Sequence, residues 1–318
     1  MAESAAIMAT FRRAQHISSV GNLPVLITGD TGTGKESVAR AIHRLDPGRS
    51  GKRFLAVNSA TLNRDTAESD LFGHRRGAFT GADRDRDGFF RAADGGVLLL
   101  DEVGELSLDL QARMLRVVEE QRLFRLGDED EIDIDVRLIA ATNRDLKGMM
   151  ERGEFRQDLY YRLNGLSVHV PPLRERPDDI LPLVNHFLKK HDHLAAPFMA
   201  VGADPDFIGG LQRARLLGNA RQLENIIRHA LVSLERTRAL GIRDLPPDIW
   251  ADLADRPADS DPERASDYGA RFRIDLGPSK PSRRSVVSTF AERSCIFWCW
   301  GKRRSCVFPG WIHRPHPR

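Results

Sequence analysis

The sequence contains no long apolar run and very few cysteines. Its longest apolar stretches, such as residues 97–100, are far shorter than the ~18 residues that a membrane-spanning helix needs, which excludes a helical membrane protein. The N-terminal residues place positive charge after a short apolar stretch rather than before it, which argues against a signal peptide. We therefore expect a cytoplasmic protein, and free cysteines agree with a reducing compartment.

The composition is that of a globular protein with an unusual C-terminal segment. A length of 318 residues suggests about two domains at ~150 residues each, and 41% hydrophobic with 29% charged residues is ordinary. Residues 271–318 hold eleven Lys and Arg against Asp275 and Glu292, a net charge of +9, so the remainder carries −6. The same segment contains all three cysteines and three of the four tryptophans: Cys295, Cys299, Cys306, Trp298, Trp300 and Trp311.

Short apolar runs alternate with helical patterns over residues 24–170, which predicts a parallel sheet covered on both faces. Five core strands are expected, at residues 25–28, 54–57, 97–100, 136–141 and 166–170. Pro171 and Pro172 form a natural boundary, and amphipathic helices are expected at residues 178–191 and 221–234. We predict an α/β domain at residues 1–172, a small helical domain at 173–250, and a linker followed by a basic tail at 251–318.

The strongest local signal is GDTGTGK, residues 29–35, between the first strand and the first helix of the α/β pattern. Glycines let several backbone N–H groups face one phosphate, the helix N-terminus adds partial positive charge, and Lys35 reaches the terminal phosphates. Glu36 stands where the general pattern has Ser or Thr for Mg²⁺, so the metal must use other ligands, through waters or Thr31 and Thr33.

Polar residues end two of the other predicted strands. Asp101 and Glu102 follow one of them, and such carboxylates can hold Mg²⁺ and activate a water for nucleoside triphosphate hydrolysis. Thr142 and Asn143 follow another and would reach the same edge, although Asn143 is equally explained as a turn former.

The residues alone do not decide the roles of two arginines and of one glycine-flanked loop. Arg156 and Arg162 could stabilise phosphoryl transfer from a neighbouring subunit, or could be solvated side chains. The GAFTGA loop at residues 77–82 carries one aromatic residue, Phe79, which is either an exposed contact or a core residue beside a turn.

Together these motifs resemble the AAA+ central domain of bacterial enhancer-binding proteins, which activate sigma-54 RNA polymerase. The run ESDLFGHRRGAFTGA at residues 68–82 is the most specific, and GDTGTGKE, GGVLLLDEVGEL, AATNRDL, FRQDLYYRLN and PPLRER follow the family's order. The resemblance implies an α/β AAA+ P-loop ATPase with a parallel five-stranded sheet core and a small α-helical lid domain. It also implies ATP and Mg²⁺ as cofactors, a hexameric ring, and sigma-54 with RNA polymerase as partners.

The resemblance further implies a role for each site residue. The ATP-binding residues would be Gly29, Asp30, Thr31, Gly32, Thr33, Gly34, Lys35, Glu36, Asp101 and Arg221, with Asp101 on Mg²⁺ and Arg221 as the second sensor. The catalytic set would be Glu102 to activate water, Asn58 to switch it, Thr142 and Asn143 as the first sensor, and Arg156 and Arg162 to reach the next subunit. The sigma-54 contact would be Gly77, Ala78, Phe79, Thr80, Gly81 and Ala82.

Three departures from the family pattern matter. The lid motif WPGN reads Leu216-Leu217-Gly218-Asn219 here, which we expect to loosen the backbone. A regulatory domain before the first strand is not expected, and no helix-turn-helix pattern follows the lid, so DNA binding is uncertain. The tail is interpreted as non-native, frameshifted or an unrelated disordered extension; a zinc site of its cysteines with His313 and His316 lacks close Cys pairs, and its charge could attract nucleic acid nonspecifically.

Two rival functions remain open. One keeps the ATPase but gives it another client, a different protein or nucleic acid. The other is a truncated regulator that binds ATP or partners without turnover.

Overall fold

The computed structural model describes residues 4–128, 130–195 and 200–254 of the chain. The basic tail, its possible zinc ligands and most of the predicted linker lie outside these residues. Within the described ranges, every helix is too short or too polar to cross a bilayer.

The chain forms nine strands and eleven α-helices within the described ranges. The strands are β1 (Val25–Thr28), β2 (Phe54–Asn58), β3 (Val97–Asp101), β4 (Arg122–Phe124), β5 (Glu131–Asp133), β6 (Arg137–Thr142), β7 (Leu166–His169), β8 (Ala200–Ala203) and β9 (Arg238–Leu240). The helices are α1 (Ala5–Ser18), α2 (Lys35–Leu45), α3 (Ala67–Phe72), α4 (Gly88–Ala92), α5 (Leu108–Glu120), α6 (Leu146–Glu151), α7 (Gln157–Leu163), α8 (Ile180–Lys190), α9 (Pro205–Arg213), α10 (Asn219–Val232) and α11 (Pro247–Ala254).

A five-stranded parallel sheet in the order β2-β3-β6-β1-β7 forms the centre of the first domain. The predicted strands are confirmed to within one residue at each end. Successive residues of β3 face opposite layers: Leu98 and Leu100 join the core with α5 and α7, whereas Val97 and Leu99 join the core with α1 and α2. Because the strands are buried on both faces, their apolar runs are continuous.

A buried ion pair holds α1 and α2 against the sheet. Arg137, the first residue of β6, is fully buried and donates to Asp46 Oδ2 at 2.6 Å, next to the end of α2. Its guanidinium also donates to the Ser18 and Ile17 carbonyl oxygens at the end of α1. The side of the sheet opposite the strands' carboxyl ends is therefore fixed by charge as well as by packing.

The lid has its own hydrophobic core, formed by α8 to α11 and the segment that follows Pro172. The predicted helix at residues 178–191 is shorter, because residues 177–179 form a 3₁₀ turn before α8, and the helix predicted at 221–234 begins at Asn219 and ends at Val232. The linker does not begin at residue 251, since α11 continues to Ala254. Ile249 is buried and Leu253 packs against the lid core, which keeps this turn helical despite its Asp-rich sequence.

Candidate functional site: a nucleotide site and an exposed loop

The phosphate loop connects the end of β1 to the start of α2. Gly32 and Gly34 have φ angles of +75° and +99°, which side chains with a Cβ rarely adopt, so the glycines allow the loop to curl around the helix N-terminus. Lys35 is only 6% exposed, and its Nζ donates to the carbonyl oxygens of Gly29 at 3.0 Å and Asp30 at 3.3 Å. The ammonium group thus lies over its own loop, where it can meet a polyphosphate.

The two acidic residues of the predicted nucleotide site lie at the end of β3. Asp101 is the last residue of the strand, and Glu102 follows it in the left-handed region with φ of 55°. Glu102 Oε1 lies 3.9 Å from Lys35 Nζ, and Asp101 Oδ1 accepts from the Glu102 N–H at 3.1 Å. A non-glycine residue in this backbone region is uncommon and is found at sites where the surroundings fix it.

The end of β6 connects these acids to the phosphate loop. The Asn143 N–H donates to Glu102 Oε2 at 3.2 Å, and Asn143 Nδ2 donates to Thr31 Oγ1 at 2.7 Å. Thr142 Oγ1 accepts from the Arg144 N–H at 3.0 Å. The Asn143 side chain therefore forms a hydrogen bond across the sheet edge and is more than a turn former. The structure brings Lys35, Glu102, Asn143 and Thr31 together.

Asn58 is beside this cluster but is not bonded to it. It pairs in register with Asp101 across β2 and β3, yet its Oδ1 accepts from the Ala60 N–H at 2.9 Å and caps a 3₁₀ turn. The hydrogen bonds found in the described ranges include none between Asn58 and Glu102. Because this cap occupies Oδ1, a switching role for Asn58 would use its Nδ2 group to donate to the Glu102 carboxylate.

The lid contacts the phosphate loop directly. Asn219 is fully buried with φ of +52°; its Oδ1 accepts from the Leu173 N–H at 2.6 Å and its Nδ2 donates to the Thr31 carbonyl oxygen at 2.9 Å. The Ala220 N–H donates to the Gly32 carbonyl oxygen at 3.0 Å. A Cβ at residue 32 would lie 2.3 Å from the Gly218 carbonyl oxygen, so only glycine permits this approach.

Arg221 lies on the exposed side of the same lid helix, next to the loop. A Cβ at Gly32 would lie 3.0 Å from the Arg221 Cβ. Two further arginines in the PPLRER motif hold the loop: Arg174 Nη1 bonds Asp30 Oδ2 at 2.9 Å, and Arg176 Nη2 donates to the Thr33 carbonyl oxygen at 2.8 Å. Asn219, Arg174 and Arg176 lie in the LLGN and PPLRER motifs, but the sequence pattern alone predicted no role for them.

The remaining residues of the predicted nucleotide set have local partners. Thr33 Oγ1 donates to the Asp30 carbonyl oxygen at 2.8 Å. Glu36 is exposed and pairs with Arg40 one turn along α2, with 2.9 Å between Glu36 Oε1 and Arg40 Nε. In this structure the Glu36 side chain therefore forms an ion pair on the surface of α2.

Arg156 and Arg162 are exposed at either end of α7. Arg156 forms two bonds to Asp158, of 3.1 and 2.7 Å, which raise the pKa of Arg156 and lower the pKa of Asp158. Arg162 Nη2 donates to the Val118 carbonyl oxygen at 3.3 Å. Neither arginine is bonded to the phosphate loop among the contacts of the described residues, so the structure does not bring them into this chain's own site.

The site has the donor set that ATP and magnesium need. Mg²⁺ usually takes one or two carboxylates and completes its shell with phosphate oxygens and water. Asp101 supplies a carboxylate beside the loop, and no cluster of three or more His, Cys, Asp or Glu in the described ranges could hold a metal alone. A single carboxylate of this kind fits a magnesium ion whose other ligands are phosphate oxygens and water.

The GAFTGA loop is a closed turn with an exposed aromatic residue. Gly77 N–H donates to the Ala82 carbonyl oxygen at 2.9 Å, and Phe79 is 45% exposed. The Phe79 ring meets the His74 ring edge-on at 5.0 Å, and Ser69 Oγ lies 2.6 Å from His74 Nδ1. The alternative of a core phenylalanine is wrong, because 45% of the Phe79 surface is exposed.

Ion pairs fix the base of this loop. Arg75 bonds Asp85 Oδ2 at 2.8 Å and Asp128 Oδ2 at 3.0 Å, and Arg125 Nη2 bonds the same Asp128 oxygen at 2.6 Å. The Arg76 N–H bond and then the Arg75 bond lower the pKa of Asp85, and bonding to Arg125 lowers the pKa of Asp128. The ion pair between Arg75 and Asp85 thus joins the two ends of the loop.

The comparisons with known proteins agree with this geometry. Residues 1–169 match the family described as the Sigma-54 interaction domain, and residues 174–262 match the AAA+ ATPase lid domain. The DNA-binding transcriptional regulator NtrC of Escherichia coli (strain K12) is 42% identical over 276 residues, which cover 81% of this chain and 57% of that protein. The formate hydrogenlyase transcriptional activator of Salmonella typhimurium is 47% identical over 254 residues, which cover 79% and 36%.

Solved structures show the same architecture. NtrX from Brucella abortus in complex with ADP superposes with a TM-score of 0.72 at 32% identity, over 84% of this chain and 58% of that one. The NtrX complex with ATP gives 0.71 at 32% identity, over 83% and 57%. The chain thus spans between about a third and three fifths of the length of these relatives.

The predicted fold class, a P-loop ATPase fold of the AAA+ type with a helical lid, is confirmed by these structures and by the five-stranded sheet. The match over residues 1–169 covers more than half of the 318 residues. The chain belongs to the sigma-54 interaction domain family, the family of the sigma-54-dependent transcriptional activators.

Proposed function

We propose that this chain hydrolyses ATP and uses the energy to activate transcription through sigma-54. The observation that carries the proposal is the cluster in which the Glu102 carboxylate lies 3.9 Å from Lys35 and accepts a hydrogen bond from Asn143. A base, a cation and a sensor amide converge where the phosphate loop opens. The complexes of NtrX with ADP and with ATP support a nucleotide at this position.

Each residue has a chemical task in this proposal. Lys35 leaves the carbonyl oxygens of its loop and bonds the terminal phosphates, and Glu102 orients a water for in-line attack. Mg²⁺ bound with the nucleotide would neutralise phosphate charge, held by Asp101 from the protein side. Asn143 senses the presence of the terminal phosphate and transmits it to Glu102, because it is hydrogen-bonded to both Glu102 and Thr31.

The active form is a ring in which subunits complete each other's sites. Arg156 and Arg162 are exposed on α7 and not bonded to their own chain's phosphate loop, as expected for side chains that act on a neighbour. A head-to-tail contact of this kind closes into a ring, which we propose is a hexamer. The bond from Arg156 to Asp158 must then open when the neighbour's phosphate arrives.

The loop at residues 77–82 is the proposed contact with sigma-54. Phe79 presents an exposed aromatic face on a turn whose base is fixed by Arg75, and aromatic residues are enriched at binding hot spots. Loss of the terminal phosphate would shift this loop between two arrangements and remodel the closed promoter complex.

The test is capture of purified sigma-54 in the presence of ADP and aluminium fluoride, which mimics the transition state. We expect capture to require the analogue and to be lost with Thr80→Ala. ATP turnover is measured in the same preparations, so loss of capture is separated from loss of hydrolysis. Turnover without capture would indicate another client, and no turnover at protein concentrations that form rings would indicate a regulator that only binds ATP.

A further inference from the structure

Three buried polar residues from distant parts of the chain connect the first turn of α1 to the phosphate loop. Arg176 and Asp179 lie in the segment that enters the lid, and Ser4 caps α1. Their exposed fractions are 6%, 1% and 4%. Buried polar groups of this kind are costly unless they bond one another, so their arrangement is closely fixed.

The contacts form a continuous series from α1 to the phosphate loop. The Ser4 N–H and hydroxyl each donate to one oxygen of the Asp179 carboxylate at 2.9 Å. Arg176 Nη1 lies 3.7 Å from Asp179 Oδ2, and Arg176 Nη2 donates to the Thr33 carbonyl oxygen at 2.8 Å. Burial lowers the pKa of Arg176, and the Asp179 charge acts against this.

The bond to Thr33 fixes more than one atom of the loop. The carbonyl of Thr33 and the N–H of Gly34 belong to one planar peptide group and point in opposite directions. Gly34 has φ of +99° and no Cβ, so its own conformation restrains this peptide poorly. By holding the carbonyl, Arg176 turns the Gly34 N–H away from itself.

We propose that Arg176 is a positioning residue for the phosphate loop, and that Asp179 and the first turn of α1 keep it in place. The inference rests on the proposed function, because the loop is taken to bind ATP. It adds that displacement of the first turn of α1 loosens nucleotide binding.

The test uses variants that weaken this connection to different degrees. Arg176→Met/Asp179→Leu replaces the buried pair with apolar side chains, a change that folded proteins often tolerate. Ser4→Ala removes the hydroxyl's hydrogen bond to Asp179 and the cap bond from the Ile7 N–H, and Ser4→Thr retains the hydroxyl that makes both. Ser19→Ala is the matched control, since its hydroxyl bonds the His16 carbonyl oxygen at the opposite end of α1, roughly 20 Å away.

Two measurements separate positioning from general stability. Titration with a fluorescent ATP analogue should give an affinity loss of about tenfold or more for the double variant and of about twofold to fivefold for Ser4→Ala. Ser4→Thr should restore the parent value, and Ser19→Ala should match it. In the nucleotide-free protein, amide hydrogen exchange of residues 29–35 should accelerate in the same order.

The outcomes are distinguishable from failure of the proposed function. Unchanged affinity and unchanged exchange in a folded double variant would overturn the inference, whatever the protein does to sigma-54. Affinity losses of equal size in Ser4→Ala and Ser19→Ala would overturn it as well, because they would reflect helix stability alone. A parent protein that binds the analogue but neither hydrolyses ATP nor captures sigma-54 would refute the proposed function and leave the positioning role testable by exchange.

Discussion

Asn219 is the residue whose removal we expect to separate the lid from the phosphate loop. Its side chain accepts from the Leu173 N–H at 2.6 Å and donates to the carbonyl oxygens of Thr31 at 2.9 Å and Leu217 at 3.2 Å. Asn219→Gly keeps a backbone that suits φ of +52° and removes these bonds. Asn219→Ala removes the same bonds and also requires a Cβ residue in the left-handed region.

The expected losses in the free energy of unfolding follow from the number of hydrogen bonds removed and from the backbone conformation at residue 219. Each hydrogen bond contributes about 1 kcal/mol net, and a buried N–H such as that of Leu173 left without its partner costs about 1–3 kcal/mol. Asn219→Gly should therefore lower the free energy of unfolding by about 2–4 kcal/mol. Asn219→Ala should lose about 1–2 kcal/mol more, the cost of the left-handed conformation.

Urea denaturation followed by circular dichroism measures the stability, and a fluorescent ATP analogue measures the affinity. Asn225→Ala on the exposed side of α10 is the matched control and should stay within ~0.5 kcal/mol of the parent protein. A stability for Asn219→Gly as close to the parent as that of the control would refute the reasoning. So would an unchanged nucleotide affinity, because it would mean that the lid contact does not shape the loop.

Three further predictions test the site and the lid. Lys35→Ala should lower affinity for the ATP analogue by at least about tenfold, because a charged hydrogen bond is lost. Glu102→Gln should retain that affinity but lower steady-state turnover by about 10²- to 10⁴-fold, the contribution of a general base; retained turnover would exclude this role. Burial acts to raise the pKa of Asp244, but bonds from Arg238 and the Gly241 N–H outweigh it and lower the pKa below the usual 3.8. The stabilisation is therefore present above about pH 4 and lost as the pH falls through the folded-state value, so Asp244→Asn should flatten acid unfolding curves there.

The sheet could be predicted because its strands are continuous apolar runs between turn residues. The β4–β5 hairpin could not, since its strands have only three residues each and carry Arg122, Glu131 and Asp133. Cross-strand ion pairs between Arg122 and both acids hold it. The run EIDIDV at residues 131–136 does alternate polar with apolar residues, but only three of its residues pair with β4. Helix α1 was also missed, because its buried face includes the polar residues Thr10 and Ser18 and the small side chain of Ala14, which weakens the apolar pattern.

The local motifs of the site could be read from sequence, but their partners could not. The phosphate loop and the acids after β3 are contiguous patterns. The contact of Asn143 with Thr31 depends on β6 lying beside β1, and the contact of Ser4 with Asp179 spans 175 residues. Such pairs are selected by the strand order and the lid position, which no short window of sequence contains.

The hydrogen bonds of Asn219 also bear on the altered lid motif, which reads LLGN in place of WPGN. With two leucines in place of an aromatic residue and a proline, we expected a looser backbone. Leu216 is 2% exposed and packs in the lid core, whereas Leu217 is 69% exposed, so only one of the pair contributes packing. The backbone here is restrained by the buried side chain of Asn219, a residue that the WPGN motif shares, which forms hydrogen bonds on both sides of the lid boundary. Because that restraint is made of hydrogen bonds to the phosphate loop, the lid of this protein should be ordered by the same contacts that shape its nucleotide site.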